Sequence, residues 1–226
     1  MTAAGLHRPA PGSVPPAVAG TRLAWTAAGF RLTRLYLVSR RAPIALALLA
    51  GLGALLGAAL YWRWNIAGGA AARLFIPLTI QTGAAAVIAV TTYGPFGEPE
   101  KAAGRWLPLL RLGAAVALTA AAFGALSAGA AAGTMPGGTL ALLRNVGGMT
   151  GIGLLSAAAV GGAFGWVGPM AYLLITEGAL AHRSATPWVW PTRAPQDRGG
   201  AICACLVIAA GLALITVRGP RQSGPG

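Results

Sequence analysis

The feature that most constrains this chain is a series of long stretches without any charged residue. Five such stretches cover most of residues 42–217. The first, Ala42–Trp62, has 21 residues, which as a helix is enough to cross about 30 Å of hydrocarbon. Only 9% of the residues are charged, whereas a soluble protein has roughly a quarter. The sequence therefore predicts an all-α, polytopic membrane bundle and excludes a soluble domain.

Breaks within the longer stretches divide the chain into six predicted transmembrane helices. Residues 112–143 are interrupted by Pro136-Gly137-Gly138, and residues 145–176 by Gly168-Pro169. The predicted spans are about 43–62, 74–93, 108–132, 139–166, 169–181 and 199–217. Residues 1–20, rich in Ala, Pro and Gly, are predicted to form a disordered tail, and residues 219–226 a cytoplasmic tail.

The basic residues predict the orientation of the spans. The formal net charge is +13, but the arginines lie between apolar runs and not in a soluble patch interleaved with aromatics, so nucleic acid is excluded as a partner. With the N-terminus inside, eleven of the 17 Lys and Arg residues lie inside. This bias predicts a multi-pass plasma-membrane protein with both termini in the cytoplasm. Trp188 and Trp190, in the last outer loop, fit an interfacial aromatic belt.

Residues 21–41 precede the first span and show helical periodicity. One face of this predicted helix carries apolar residues at three- and four-residue steps, namely Trp25, Ala28, Leu32, Leu35 and Tyr36. Arg34 and Arg41 lie on the opposite face, where they would meet anionic lipid at the inner membrane surface. Two interpretations stay open: a simple topology anchor, or an amphipathic surface helix that transmits motion to the first span.

The predicted inner loop of residues 94–111 holds two of the four acids in the chain. Pro99 followed by Glu100 and Lys101 favours the start of a short helix, with Glu98 and Glu100 at its positive end. A short charged helix between spans is suited to docking against a cytoplasmic partner. The alternative is an ordinary solvated loop.

Three polar residues are predicted to lie within or beside spans. Arg144, Asn145 and Glu177 are costly in lipid and must pair, reach the interface or face a cavity. They are candidates for substrate contact, although a structural pairing of Glu177 with Arg144 or Arg183 is an equal alternative. Cys203 and Cys205 are expected to be small buried hydrophobic residues, and no cluster of His, Asp or Glu predicts a metal site.

The sequence also lacks the common catalytic signatures. It has no G-x-x-x-x-G-K-[ST] phosphate loop, no H-E-x-x-H and no G-x-S-x-G. We therefore expect a protein that is not an enzyme and binds no cofactor of its own.

Together these features resemble the membrane subunits of ATP-binding-cassette (ABC) exporters of the type-2 class. The residues that carry the likeness are Gly97-Glu98-Pro99-Glu100-Lys101 with Gly104-Arg105 and Arg111, then Leu143-Arg144-Asn145 with Gly148 and Gly151, then Gly168-Pro169. The high Ala, Gly and Arg content is similar to that of a GC-rich actinobacterium. The likeness covers roughly residues 21–217.

The resemblance implies a permease subunit driven by a separate cytoplasmic ATPase subunit, which would bind ATP and Mg. Residues 94–106 would be the coupling helix, with Glu98, Glu100, Lys101 and Arg105 facing the ATPase. A second permease copy or a homologous permease would complete a dimer. The short, basic outer region departs from exporters of polysaccharides and favours a hydrophobic or amphiphilic small molecule, peptide or lipid. The alternative function is a non-transporting membrane scaffold or accessory subunit of a larger membrane complex.

Overall fold

The computed structural model describes residues 41–63, 70–91, 107–133, 135, 137–182, 186 and 188–218. The predictions for the N-terminal tail, the amphipathic helix up to residue 40 and the C-terminal tail lie outside these residues. So do the predicted coupling residues Glu98, Glu100, Lys101 and Arg105.

The described residues form six α-helices and no strand. The helices are α1 (Ala42–Arg63), α2 (Ala70–Thr91), α3 (Leu107–Ala130), α4 (Gly138–Ala159), α5 (Val167–Ala181) and α6 (Arg198–Arg218). Two short 3₁₀ turns lie between the later helices, at Gly162–Phe164 and Trp190–Thr192. The all-helical prediction is therefore confirmed for this part of the chain.

Four of these helices are long and apolar enough to cross a membrane. They correspond to Ala42–Trp62, Pro108–Ala130, Gly138–Ala159 and Arg198–Arg218. In α2 the apolar segment Phe75–Thr91 is shorter, and α5 has 15 residues, which rise only about 22 Å. Large apolar side chains on several helices point away from the bundle, as expected of a protein whose solvent is lipid.

Helix α4 is the centre of the bundle. It contacts α2, α3, α5 and α6. In its most apolar segment of 18 residues 67% is buried, against 33% or less in the corresponding segments of the other three long helices. One core cluster, with Leu56, Ile88, Leu126 and Leu142, joins α1, α2, α3 and α4. Leu154 and Ile215 join α4 to α6 in another. Because four helices contact α4, polar side chains on this helix can be held inside the bundle.

Glycines allow the closest helix contacts. A Cβ atom on Gly151 would lie 2.6 Å from the backbone of Ile208, and one on Gly211 would lie 2.6 Å from the carbonyl oxygen of Gly151. Gly53 and Gly129 bring α1 and α3 together in the same way. Because lipid gives no hydrophobic drive for helices to associate, such close van der Waals contact is a main source of their stability.

The break between α4 and α5 differs from the prediction. Helix α4 ends at Ala159, not near residue 166, because Gly161 adopts φ 120° and ψ 149°, a conformation open essentially to glycine alone. Pro169, taken from the sequence as part of the break, lies in the first turn of α5. A proline there costs little, since its missing N–H has no helical partner in any case.

We predict that Gly151→Ala destabilises the bundle by about 1–3 kcal/mol, because the added methyl group overpacks the contact with α6. The measurement is the thermal unfolding midpoint in mild detergent. Gly178→Ala is the matched control, since a Cβ atom there meets nothing within 4 Å. An unchanged midpoint for Gly151→Ala would contradict the close packing of α4 and α6.

Candidate functional site

A folded segment between α5 and α6 covers one end of the bundle. We call residues 188–197 the cap. Trp190 is its anchor: the side chain is 2% exposed, and its ring stacks on Tyr172 of α5 with centroids 4.6 Å apart. The Tyr172 hydroxyl donates a hydrogen bond of 2.8 Å to the carbonyl oxygen of Trp188. The indole is therefore held on one face by an aromatic ring that is itself tied to the cap.

Gly148 of α4 makes the space that the indole occupies. A Cβ atom on Gly148 would lie 2.5 Å from Cζ2 of Trp190 and 3.1 Å from Cβ of Ala204. Burying an aromatic side chain this completely is among the larger single contributions to a core. The cap is thus packed into the bundle between α4, α5 and α6.

Arg144 of α4 holds the cap by its backbone. Its guanidinium donates from Nη1 to the carbonyl oxygen of Ala194 at 2.8 Å and from Nη2 to that of Arg193 at 3.1 Å. The side chain is buried, with 7% exposed. Two parallel donors on successive carbonyls use the fork geometry that only arginine offers. These bonds satisfy backbone carbonyls that lie outside any helix.

Asp197 closes the cap onto α6. Its carboxylate accepts hydrogen bonds from the Gly200 backbone N–H at 2.6 Å and from Arg193 Nη2 at 2.9 Å, and it lies 2.8 Å from Arg193 Nε. An aspartate that bonds the N–H three residues later is an N-cap. The Gly200 N–H, and next the Arg193 guanidinium, hold the pKa of Asp197 below its ordinary value of 3.8. The acid therefore stays ionised at neutral pH.

A cavity of about 230 Å³ lies between α2, α4 and the cap. Three buried polar side chains line it, namely Gln81, Arg144 and Asn145. Gln81 is 1% exposed and Asn145 5% exposed, yet neither carboxamide forms a hydrogen bond with any described residue. Gln81 Oε1, Asn145 Oδ1 and Arg144 Nε are buried atoms without a partner. Buried polar atoms of native proteins nearly always have a hydrogen-bond partner, which a water molecule or a ligand supplies where the protein does not.

The structure brings together only part of the predicted site. Arg144 and Asn145 share the cavity beneath the cap. Glu177 does not line that cavity, forms no ion pair with Arg144, and its Oε1 has no partner among the described residues. The alternative pairing with Arg144 is therefore wrong, while Arg183 lies outside the described residues.

Sequence reasoning missed three residues of this region. Gln81 is an amide in the middle of a predicted span, a signal of the same kind as Asn145. Asp197 directly precedes the last apolar run, where an N-cap is expected. Trp190, assigned from the sequence to an interfacial belt, is instead buried, whereas Trp188 is 52% exposed.

The side chains that line the cavity are hydrogen-bond donors and acceptors. Its polar side chains are the two guanidinium groups of Arg144 and Arg193, the two carboxamides of Gln81 and Asn145, and the hydroxyl of Thr192. In the described part of the chain no three His, Cys, Asp or Glu side chains cluster as metal ligands would. Cys203 is half-buried and Cys205 is exposed, both as free thiols, so the expectation that both are buried is wrong. No protein-family model, curated protein or solved structure matches this chain.

We predict that Arg144→Met releases the cap. The variant removes the two hydrogen bonds that Arg144 donates to the carbonyls of Arg193 and Ala194, of which the second keeps the Asp197 N–H as a donor. Loss of a hydrogen bond to a charged group costs about 1.5–3 kcal/mol. The measurement is the rate of tryptic cleavage after Arg193, which the wild-type cap protects. In Arg144→Lys a compact ammonium group replaces the planar guanidinium that bonds both carbonyls at once. This variant is therefore expected to restore only part of the protection. Equal cleavage rates for Arg144→Met and the wild type would contradict this role.

The low pKa of Asp197 predicts an acid-sensitive cap. A carboxylate whose pKa is lower in the folded than in the unfolded chain contributes stability above its unfolded pKa, and that stability is lost as pH falls through the folded value. Cap protection against an acid-stable protease is therefore expected to be constant at neutral pH and to fall below the ordinary value of 3.8. The Asp197→Asn variant is expected to show no such loss of protection at low pH. If the variant loses protection at the same pH as the wild type, another group is responsible for the loss.

Proposed function

We propose that this chain is the transmembrane permease subunit of an ABC-type exporter that moves a hydrophobic or amphiphilic small molecule, peptide or lipid. In this proposal the six helices α1–α6 are the six spans, and the protein lies in the plasma membrane with both termini in the cytoplasm. A separate ATPase subunit supplies the energy. The cap then faces the outside.

The observation that carries the proposal is the polar cavity inside an otherwise apolar bundle. Polar and charged groups are expensive within a membrane, and where they occur they usually mark a path for substrate or ions. Here three such side chains, Gln81, Arg144 and Asn145, converge from two helices on one cavity. Arg144 also holds the cap, but the buried amide oxygens of Gln81 and Asn145 have no hydrogen-bond partner, so a bundle that served only to hold partners would lose little with apolar residues at these two positions.

The order and lengths of the helices also support the proposal. A short helix, α5, is followed by the cap, which folds back against the bundle. The Gly168-Pro169 pair, one of the features of the resemblance, lies in the first turn of this short helix. In this proposal each of the six helices crosses the membrane once, which would put the charged loop of residues 94–106 on the side opposite the cap.

The proposed mechanism is alternating access in a dimer of permeases. ATP binding closes two ATPase subunits, and the loops with Glu98, Glu100, Lys101 and Arg105 transmit that motion to the spans. The second permease is another copy of this chain or a homologous one. Cargo passes along the interface, with Arg144 and Asn145 as polar contacts near the cap and Glu177 as a separate contact on α5.

We predict that Glu98→Ala combined with Glu100→Ala weakens ATPase docking. Tagged full-length chain, extracted from its native membrane in mild detergent, is expected to recover a soluble ATPase in stoichiometric amount, measured as Mg-dependent ATP hydrolysis. Loss of two docking contacts at about 1 kcal/mol each lowers binding about 30-fold.

Arg218→Ala is the matched control, because it removes a charge on the proposed cytoplasmic side at the exposed end of α6. It should leave ATPase recovery unchanged. Recovery of the wild-type chain without any ATPase would contradict the permease proposal and favour a membrane scaffold. Recovery that the double variant does not alter would contradict the coupling role of the two acids.

A further inference from the structure

The cavity beneath the cap lacks hydrogen-bond partners of both kinds. Gln81 Oε1 and Asn145 Oδ1 are acceptors without donors, and Arg144 Nε is a donor without an acceptor. The terminal torsion of a carboxamide is soft and roughly two-fold, so a half-turn presents either its oxygen or its NH₂ to the cavity. The ligand that satisfies these groups must both donate and accept hydrogen bonds, as a hydroxyl group does.

The charge around the cavity is positive. Both Nη atoms of Arg144 bond neutral backbone carbonyls, and the one carboxylate of the cap, Asp197, already binds Arg193 and the Gly200 N–H. Two guanidinium groups therefore face one carboxylate among the described side chains of this region. Because a buried charge is stable only when it is compensated, the cavity favours an anion.

The size and surroundings of the cavity favour the head of an amphiphile. Its volume of about 230 Å³ is below the usual 300–1,000 Å³ of sites that enclose a whole drug-sized ligand. Exposed apolar side chains stand close in sequence to the lining residues of both helices, Phe75 and Ile76 before Pro77 on α2, and Leu140 and Leu143 beside Ala141 and Arg144 on α4. A small polar head fits inside while acyl chains lie on this outer apolar surface.

We infer that the cavity formed by α2, α4 and the cap binds the hydroxyl-bearing, anionic glycerophosphate headgroup of a phospholipid. Arg144 compensates the phosphate, and Gln81 and Asn145 bond the glycerol hydroxyls. The same headgroup chemistry occurs in free glycerol phosphate, which lacks the acyl chains. This inference does not depend on the proposed transport function, since binding requires neither ATP nor an ATPase.

Native mass spectrometry of the delipidated full-length chain tests the inference with three lipids that share the same acyl chains. Phosphatidylglycerol has the anion and the hydroxyls, phosphatidylethanol has the anion alone, and phosphatidylcholine has neither a net charge nor a hydroxyl. Phosphatidylglycerol is expected to bind about fivefold or more tightly than phosphatidylethanol, the value of one net hydrogen bond. Phosphatidylcholine is expected to bind most weakly.

Gln81→Leu and Asn145→Leu are each expected to remove the preference for phosphatidylglycerol over phosphatidylethanol and to leave phosphatidylethanol binding unchanged. Removing an unpaired buried amide costs little, so the unfolding midpoint should not fall. Thr150→Val is the matched control: Thr150 Oγ1 is also buried and unpaired on α4, but it does not line the cavity. It should keep the wild-type lipid preference.

Free glycerol 3-phosphate distinguishes the two sources of the headgroup. Its failure to compete with phosphatidylglycerol assigns the site to a membrane lipid, and full competition assigns it to a soluble glycerophosphate; both outcomes support the shared chemistry. Equal binding of all three lipids, or wild-type preference in both leucine variants, overturns the inference. Because the assay contains only this chain, its failure would leave the ATPase experiment unaffected.

Discussion

The guanidinium of Arg144 is the interaction on which the cap depends. Backbone carbonyls outside a helix must find donors when water is scarce, and each unmet group costs several kcal/mol in hydrocarbon. Arg144 supplies two donors at once to the carbonyls of Arg193 and Ala194. The cap is further held by the stacking of Trp190 on Tyr172 and by the hydrogen bond that Asp197 accepts from the Gly200 N–H. A buried cation is thereby used to order an irregular segment and, at the same time, to set the charge of the cavity beneath it.

The position of Arg144 on α4 explains why one residue has both effects. Helix α4 contacts four other helices. A side chain on this helix is therefore inside the bundle, close to several neighbouring elements at once. Small residues on the same helix bring neighbours close: Gly148 admits the indole of Trp190, and Gly151 admits the backbone of α6. The packing of the cap and of α6 against α4 therefore depends on glycines as well as on large side chains.

The sequence predicts much of this fold because lipid imposes simple rules. The charge-free stretches and their breaks predicted the positions of the six helices of the described residues. The cost of burying polar or charged groups indicated Arg144 and Asn145 as site residues. The end of α4 was misplaced because Gly168-Pro169 is a stronger breaking signal in a sequence than Gly161, whose backbone conformation decides the break. The burial of Trp190 was not predicted, since it depends on Gly148 and Tyr172, which are far from it along the chain. Glu177 carried the same signal as Arg144 but lies apart from the cavity, because one-dimensional patterns do not specify which helix faces meet.

The arrangement of cap and cavity is tested most directly by hydrogen–deuterium exchange of the wild-type chain in lipid nanodiscs. The cap has its own backbone hydrogen bonds, from the N–H groups of Val189, Thr192 and Arg193 to the carbonyls of Thr186, Val189 and Trp190. The account predicts that these amides exchange slowly, with protection approaching that of the adjoining helices. Exchange at the rate of an unstructured loop would contradict it, because a cap held by Arg144 and Trp190 does not open freely.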